Sequence, residues 1–362
     1  MAARRIATAI TDGCTAPCAS ERNRPSRSAS WGIVLFDAVL LVVGLAILAP
    51  AADQFVLGSA RLSAVLNLPP VVIGTAVMGF GTSVPEMIVS SIAASGGDRA
   101  LGVGNIVGSN VANLTLGLGA AAFITTMAIP NVVFRRQGPL SLLAAGMFAF
   151  FVVDGTLDRW EGVVLLAALV VVVINLITSG MHDADTDADS GDLTFGVEAL
   201  RAVGGLVGTM IAAQMVVVGA RGLADEFSVS GGFVGFSLVA LGTSLPELVT
   251  VVACARRAET GLIVGNLLGS NIFNALAVSG MMGVVGPGMI NDESLTGLGL
   301  AVMLAVAIGA FIVSFIGRKV SRIDGAVLLA LYFAATMLLA SSAIDADDDY
   351  EADPTARVVE AG

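Results

Sequence analysis

The sequence predicts an all-α polytopic membrane protein with ten transmembrane helices, arranged as two inverted five-helix repeats. Composition is the first observation behind this prediction. Of 362 residues, 56% are hydrophobic and only 13% are charged, and the mean hydropathy is +0.89. Such values are typical of helical membrane proteins. The second observation is a set of ten apolar stretches, and the third is an internal duplication.

The apolar stretches are long enough, or nearly so, to cross a bilayer, which takes ~20 residues. They lie at 31–60, 69–95, 100–127, 138–154, 160–178, 195–221, 231–255, 260–285, 294–316 and 322–342. Five segments follow: a disordered basic N-terminal extension (1–30), a first transmembrane repeat (31–180), an acidic cytoplasmic linker (181–194), a second transmembrane repeat (195–342) and an acidic C-terminal tail (343–362).

The duplication is visible as two motifs that recur at a constant offset of 161 residues, as from Glu86 to Glu247. The matching segments are Gly81-Thr82-Ser83-Val84-Pro85-Glu86 with Gly242-Thr243-Ser244-Leu245-Pro246-Glu247, Asn105–Asn110 with Asn266–Asn271, and Asn113 with Asn274. A repeat with an odd number of spans forces the two copies to face opposite ways. In transporters of this architecture, broken helices form a site near the membrane midplane.

The motif places an acidic residue inside an apolar helix. A charge at the centre of a membrane helix costs at least ~2.5–3.5 kcal/mol, and a bound cation would offset that cost. Pro85 has no N–H, so the carbonyl of Gly81 loses its helical partner, and Pro246 has the same effect on Gly242. We therefore expect both helices to break beside their glutamates.

Oxygen-bearing side chains surround each predicted break. Ser109 with Asn113, and Ser270 with Asn274, are spaced i, i+4 and share a helix face. With the Thr and Ser residues of the breaks they would form an all-oxygen cage, which suits hard cations such as Ca²⁺. A simpler interpretation is that the small residues serve helix packing and that the glutamates are structural hydrogen-bonding groups. Two glutamates in duplicated, Pro-broken contexts favour the cation site.

The paired motifs resemble the alpha repeats of sodium/calcium exchangers, within the calcium/cation antiporter superfamily, and the prokaryotic type in particular. The resemblance covers about 31–342. It implies exchange of Na⁺ for Ca²⁺ by alternating access, with both ions as transported substrates, no cofactor and no enzymatic activity. It also implies a set of ion ligands, which comprises Glu86, Glu247, Thr82, Ser83, Thr243, Ser244, Ser109, Ser270 and Asn113, with backbone carbonyls at Gly79 and Ala240.

One site position departs from the resemblance. Asn274 stands where many sodium/calcium exchangers have Asp. Two ionised glutamates neutralise one Ca²⁺, whereas three Na⁺ would leave one positive charge. Asn274 therefore fits a third polar group that works uncharged, and it leaves the stoichiometry and any potassium requirement open.

Basic residues predict the orientation. With both termini outside, nine of them fall at cytoplasmic loops and helix ends and four at external ones, as the positive-inside rule requires. The five Arg of residues 1–30 argue the other way. We weigh the loops more heavily and expect extracellular termini in the cell membrane.

Three alternatives remain. A proton/calcium antiporter of the same superfamily typically has an acid in the motif that here reads Ser109-Asn110 and Ser270-Asn271. A passive cation channel would more naturally be a ring of identical subunits, and nothing supports an intramembrane enzyme. The net charge of −11 disfavours nucleic acid as a partner. We expect a protein that works as a monomer in the lipid bilayer.

Overall fold

The computed structural model describes residues 31–182, 193–226 and 243–352, and helices account for most of them. The helices are α1 Trp31–Val65, α2 Pro70–Thr82, α3 Val84–Ser95, α4 Arg99–Ile124, α5 Gly138–Val152, α6 Arg159–His182, α7 Phe195–Glu226, α8 Leu245–Arg256, α9 Thr260–Val285, α10 Leu300–Gly317 and α11 Arg322–Ala352. They coincide with the predicted apolar stretches, except that 231–242 lies outside the described residues.

Seven helices in the described part of the chain are long and apolar enough to cross a membrane. They correspond to α1, α4, α6, α7, α9, α10 and α11. The pair α2 and α3 provides an eighth candidate, which is bent by 42° at Ser83. The chain is therefore a helical protein with multiple candidate membrane spans.

The bend between α2 and α3 lies beside Pro85, as the sequence predicts. Ser83 has a ψ of 0°, and α3 begins at the next residue. Helical hydrogen bonds still flank the bend, because the Ser83 N–H donates to the Gly79 carbonyl at 3.3 Å and the Met87 N–H to the Ser83 carbonyl at 3.0 Å. The chain therefore turns in direction without exposing a long unpaired segment.

Wider π-helical turns interrupt several helices, and no sequence pattern predicts them. Two of them are repeat mates: Asn113–Gly117 within α4 and Asn274–Val278 within α9. Such turns occur often at functional sites. Each begins at an asparagine of the duplicated motif, so the local backbone is distorted at the same position in both repeats.

The two halves of the chain are joined by two short antiparallel ladders. Strand β1 (Met127–Ala128) pairs with β4 (Lys319–Val320), and β2 (Thr156–Leu157) pairs with β3 (Gly288–Met289). Each ladder joins a loop of the first half to a loop of the second. The hydrophobic core likewise contains residues of both halves, such as Ile73 and Leu267.

Helices α1 and α7 pack against each other along most of their length. Glycines allow this contact: a Cβ on Gly44 would lie 2.9 Å from the Ala212 carbonyl oxygen, and one on Gly58 would lie 2.5 Å from the Ala202 nitrogen. Near the end of the pair, buried Glu198 of α7 accepts a hydrogen bond from Arg61 of α1 at 3.2 Å. The two helices thus form one closely packed pair.

The last helix extends further than its predicted span. It continues to Ala352, into the stretch from 343 that is predicted to be an acidic tail. Neither Gly nor Pro occurs between Leu339 and Pro354, so no helix-breaking residue ends the helix earlier.

Candidate cation-binding site

Close packing of α2 against α9 positions the first half of the site. A Cβ on Gly79 would lie 2.7 Å from the Ser270 nitrogen and 2.8 Å from the Gly269 Cα. Only glycine allows the two backbones to approach so closely. This approach brings the end of α2, with Thr82, against the serine and asparagine face of α9.

The two glutamates are fully buried at the beginnings of α3 and α8. Glu86 is 0% exposed and Glu247 is 2% exposed. Glu86 lies beside the hydroxyl groups of Ser244 and Thr243, and Glu247 lies beside that of Thr82 and near Glu86. Each acid of one repeat therefore points at the broken helix of the other.

The hydroxyl groups that face these carboxylates do not make hydrogen bonds of normal geometry to them in the described part of the chain. All four of their oxygens are buried and without a partner. An unpaired buried charge is strongly unfavourable, so something must neutralise it. A cation or a proton would do so, and the surrounding groups are oxygen donors.

Hydroxyl and amide groups connect the repeats around the glutamates. The Thr82 hydroxyl lies 3.1 Å from the Ser270 hydroxyl and 3.4 Å from Asn266 Oδ1. In the other half, the Thr243 hydroxyl donates to Asn105 Oδ1 at 3.1 Å. The Ser244 hydroxyl donates to Ser109 Oγ at 3.1 Å. These contacts run between residues more than a hundred positions apart, so both repeats are needed to form the site.

The asparagines of the motif form a second layer between α4 and α9. Asn113 Nδ2 donates to Asn271 Oδ1 at 3.0 Å, and Asn271 Nδ2 donates to the Asn110 carbonyl at 3.2 Å. Asn274 is fully buried, and neither its nitrogen nor its oxygen has a partner among the described residues. The amide nitrogen of Asn113 is therefore engaged within the protein, whereas neither amide atom of Asn274 is engaged by a described residue.

The structure thus places the sequence-predicted residues in one region, apart from Ala240. Ser83 is buried with its hydroxyl unpartnered in the described part of the chain, and the Gly79 carbonyl accepts from Ser270 at 3.5 Å. The predicted ligand Ala240 lies outside the described residues. Asn105 and Asn266, which contact the site threonines, were not among the predicted site residues. Their i, i+4 spacing to Ser109 and Ser270 could have revealed them.

The donor set suits a hard cation. Carboxylate, hydroxyl and amide oxygens are the groups that Ca²⁺ prefers, in coordination numbers of ~6–8. Two carboxylates would balance one divalent cation. These properties follow from Glu86, Glu247 and the hydroxyl groups that face them.

Comparison with known proteins identifies the family. The sequence profile described as "Sodium/calcium exchanger protein" matches residues 36–178 and 198–340, most of both halves of the chain. The chain belongs to the sodium/calcium exchanger protein family. Each matched range contains one copy of the duplicated motif.

Relatives from several organisms agree with this family. The chain is 33% identical over 320 residues to "Putative antiporter CaxA" of Alkalimonas amylolytica, covering 85% of this chain and 100% of that protein. It is 28% identical over 350 residues to "Sodium/calcium exchanger MaX1" of Methanosarcina acetivorans, covering 85% and 99%. Among solved structures, it is similar to the sodium-calcium exchanger NCX_Mj soaked with zero Na⁺ and Ca²⁺. That match has a TM-score of 0.74 and 30% identity, and covers 84% of this chain and 99% of the other.

Family membership defines the class of activity. The chain is a multi-span membrane transporter of the cation/calcium antiporter class. The helical fold matches that of a sodium-calcium exchanger over most of the chain.

Proposed function

We propose that this protein is a secondary active antiporter that exchanges Na⁺ for Ca²⁺ across the cell membrane by alternating access at one site between its two repeats. The observation that carries the proposal is the pair of buried glutamates, Glu86 and Glu247, whose four carboxylate oxygens have no partner among the described residues. A site with this much uncompensated charge requires a mobile positive charge, and Na⁺ and Ca²⁺ both accept oxygen ligands.

In this proposal the chain has ten spans in two inverted five-helix repeats, 31–180 and 195–342, joined by the cytoplasmic linker 181–194. The β ladders support this topology: the loops 125–132 and 318–321 would share the cytoplasmic face, and the loops 153–158 and 286–292 the external face. Both termini, including the extension 1–30 and the tail 343–362, would then be extracellular. Each chain would hold a complete site, so a monomer suffices.

The proposed ligands are the carboxylates, the hydroxyls of the two broken helices and their serine partners, and backbone carbonyls. They are Glu86, Glu247, Thr82, Ser83, Thr243, Ser244, Ser109, Ser270, Asn113, Asn274, Gly79 and Ala240. The two asparagines differ in their contacts: Asn113 Nδ2 donates to Asn271, which leaves its Oδ1 for a cation, whereas neither amide atom of Asn274 has a partner in the described part of the chain. We propose Asn274 as an uncharged ligand.

Alternating access would come from movement of the α1–α7 pair against the helices that hold the site. The close glycine contacts at Gly44 and Gly58 and the bond from Arg61 to Glu198 keep this pair together. The ladders keep the remaining loops of both halves connected. An empty site holds two unpaired carboxylates, which oppose closure in an apolar environment. Exchange is therefore favoured over leak.

The test is calcium uptake into proteoliposomes that contain the purified full chain. Vesicles would be loaded with sodium, with protons or with neither, at a clamped membrane potential, and protein-free vesicles would give the background. Uptake that requires an outward sodium gradient supports the proposal. Uptake that requires only a proton gradient would identify protons, and not sodium, as the coupling ion. Equilibration without any gradient would indicate a channel.

A further inference from the structure

The two halves of the site differ in how firmly an asparagine holds the neighbouring threonine. A hydroxyl that offers its lone pairs to a cation must direct its single proton to another acceptor. For Thr243, Asn105 Oδ1 at 3.1 Å is one such acceptor. For Thr82, the corresponding Asn266 Oδ1 is more distant, at 3.4 Å, and the Met78 carbonyl and Ser270 Oγ each lie at 3.1 Å.

The asparagines themselves are anchored unequally. Asn105 Nδ2 donates to Ser90 Oγ at 3.0 Å, which fixes the amide plane from its other end. Asn266 is the repeat mate of Asn105, but its Nδ2 is buried without a partner among the described residues. The residue that corresponds to Ser90 at the offset of 161 is Val251, which is fully buried and has no polar side-chain atom. The anchor therefore exists in the first repeat and is missing in the second.

We propose that Ser90 and Asn105 are positioning residues that make the Thr243 half of the site rigid and thereby set how strongly the protein distinguishes Ca²⁺ from larger divalent cations. The inference rests on the proposed function, because it assumes that Thr243 faces the transported ion. Selectivity between hard cations depends on cavity size, ligand number and the flexibility of the ligands. A hydroxyl whose asparagine acceptor is itself anchored tolerates a larger ion less well than one whose asparagine acceptor has no anchor.

The experiment compares the equilibrium dissociation constants of Ca²⁺ and Ba²⁺, measured by titration calorimetry on the full chain in detergent. Ser90→Ala removes the anchor, and Val251→Ser supplies one to Asn266. The matched controls are Ser91→Ala, which removes the adjacent hydroxyl that has no partner in the described part of the chain, and Val251→Ala, which removes the same volume as Val251→Ser without adding a hydroxyl.

We expect Ser90→Ala to reduce the preference for Ca²⁺ over Ba²⁺ by about two- to tenfold, the effect of one neutral hydrogen bond. Val251→Ser should increase the preference relative to Val251→Ala, and Ser91→Ala should leave it at the wild-type value. A merely structural role would change thermal stability but not this ratio. If Ser90→Ala does not fold, the comparison of the two Val251 variants still tests the positioning role.

Two outcomes would overturn the inference, and they are distinguishable. Equal cation ratios in Val251→Ser and Val251→Ala, with calcium still bound, would refute the positioning role and leave the proposed function intact. Absence of calcium binding by the wild-type protein would refute both the inference and the proposed function.

Discussion

The hydroxyl groups of Thr82 and Ser270 lie 3.1 Å apart, although 188 residues separate them in the chain. Ser244 and Ser109 make a corresponding contact at 3.1 Å across 135 residues. Each contact joins a broken helix of one repeat to the partner helix of the other. A change at one of these positions therefore alters a contact that both halves of the site share.

Replacing either buried glutamate by its isosteric amide should abolish sodium-driven calcium uptake and yet stabilise the ion-free protein. Glu86→Gln or Glu247→Gln removes an uncompensated buried charge, which costs ~2.5–3.5 kcal/mol on membrane-insertion scales. We expect the free energy of unfolding without ions to rise by up to about 3 kcal/mol. Thermal unfolding in detergent and proteoliposome uptake would measure the two effects.

A buried glutamate outside the site provides the control for these variants. Glu161 is 6% exposed, and its carboxylate accepts the Asp158 backbone N–H at 2.7 Å. Glu161→Gln keeps an acceptor oxygen there and should retain transport. Normal transport by both Glu86→Gln and Glu247→Gln would show that the site assignment is wrong.

Calcium should stabilise the folded protein, and sodium should compete with it. A ligand that binds only the folded state adds about 2.7 kcal/mol at a hundredfold excess over its Kd. Because both ions are proposed to use Glu86 and Glu247, saturating sodium should reduce the melting-temperature increase that calcium produces. Differential scanning fluorimetry, with choline replacing sodium as the control, would check this. Additive shifts from the two ions would mean separate sites.

Adding one methyl group to the α1–α7 contact should destabilise the protein. A Cβ on Gly219 would lie 2.5 Å from the Asp37 carbonyl oxygen and 2.7 Å from the Leu41 nitrogen. Gly219→Ala must therefore push α1 and α7 apart, at a cost of about 1–3 kcal/mol. The melting temperature and the transport rate should both fall.

Gly204 of the same helix is the matched control for this substitution. A Cβ there would meet nothing within 4 Å. Gly204→Ala should be neutral or stabilise the helix by about 0.5–1 kcal/mol. Equal melting temperatures for the two variants would contradict the close packing of α1 and α7.

The ion pairs of α1 should differ greatly in their contribution to stability. The carboxylate of Glu198 is 4% exposed and pairs with Arg61 and Arg201, whereas the carboxylate of Asp53 is 46% exposed and pairs with Arg257 at 3.3 Å. We expect Glu198→Ala to cost about 1.5–3 kcal/mol, because it removes a buried carboxylate that accepts charged hydrogen bonds. Asp53→Asn should cost less than about 1 kcal/mol. Thermal unfolding at low and high salt would test this, and a similar loss in both variants would contradict the difference in burial.

Much of the fold could be predicted because its signals are local. The spans appear as apolar stretches, and the repeat appears as a constant offset between Glu86 and Glu247. Pro85 removes a backbone donor, so the bend at Ser83 was also accessible from the sequence. The π-helical turns at Asn113 and Asn274 were not, since no residue type specifies them.

The sequence by itself determined the membrane class, the duplication and the acidic, hydroxyl-rich composition of the candidate site, because hydrophobicity, repetition and residue chemistry are properties of the linear chain. Only the tertiary structure decided which groups meet: that Thr243 contacts Asn105, that Asn113 donates to Asn271 while Asn274 has no partner among the described residues, and that Ser90 anchors Asn105. Such contacts depend on how closely α4 approaches α3, α9 and the segment before α8, and on how these helices are rotated about their axes. Those relationships arise from packing between distant segments, which no local pattern encodes.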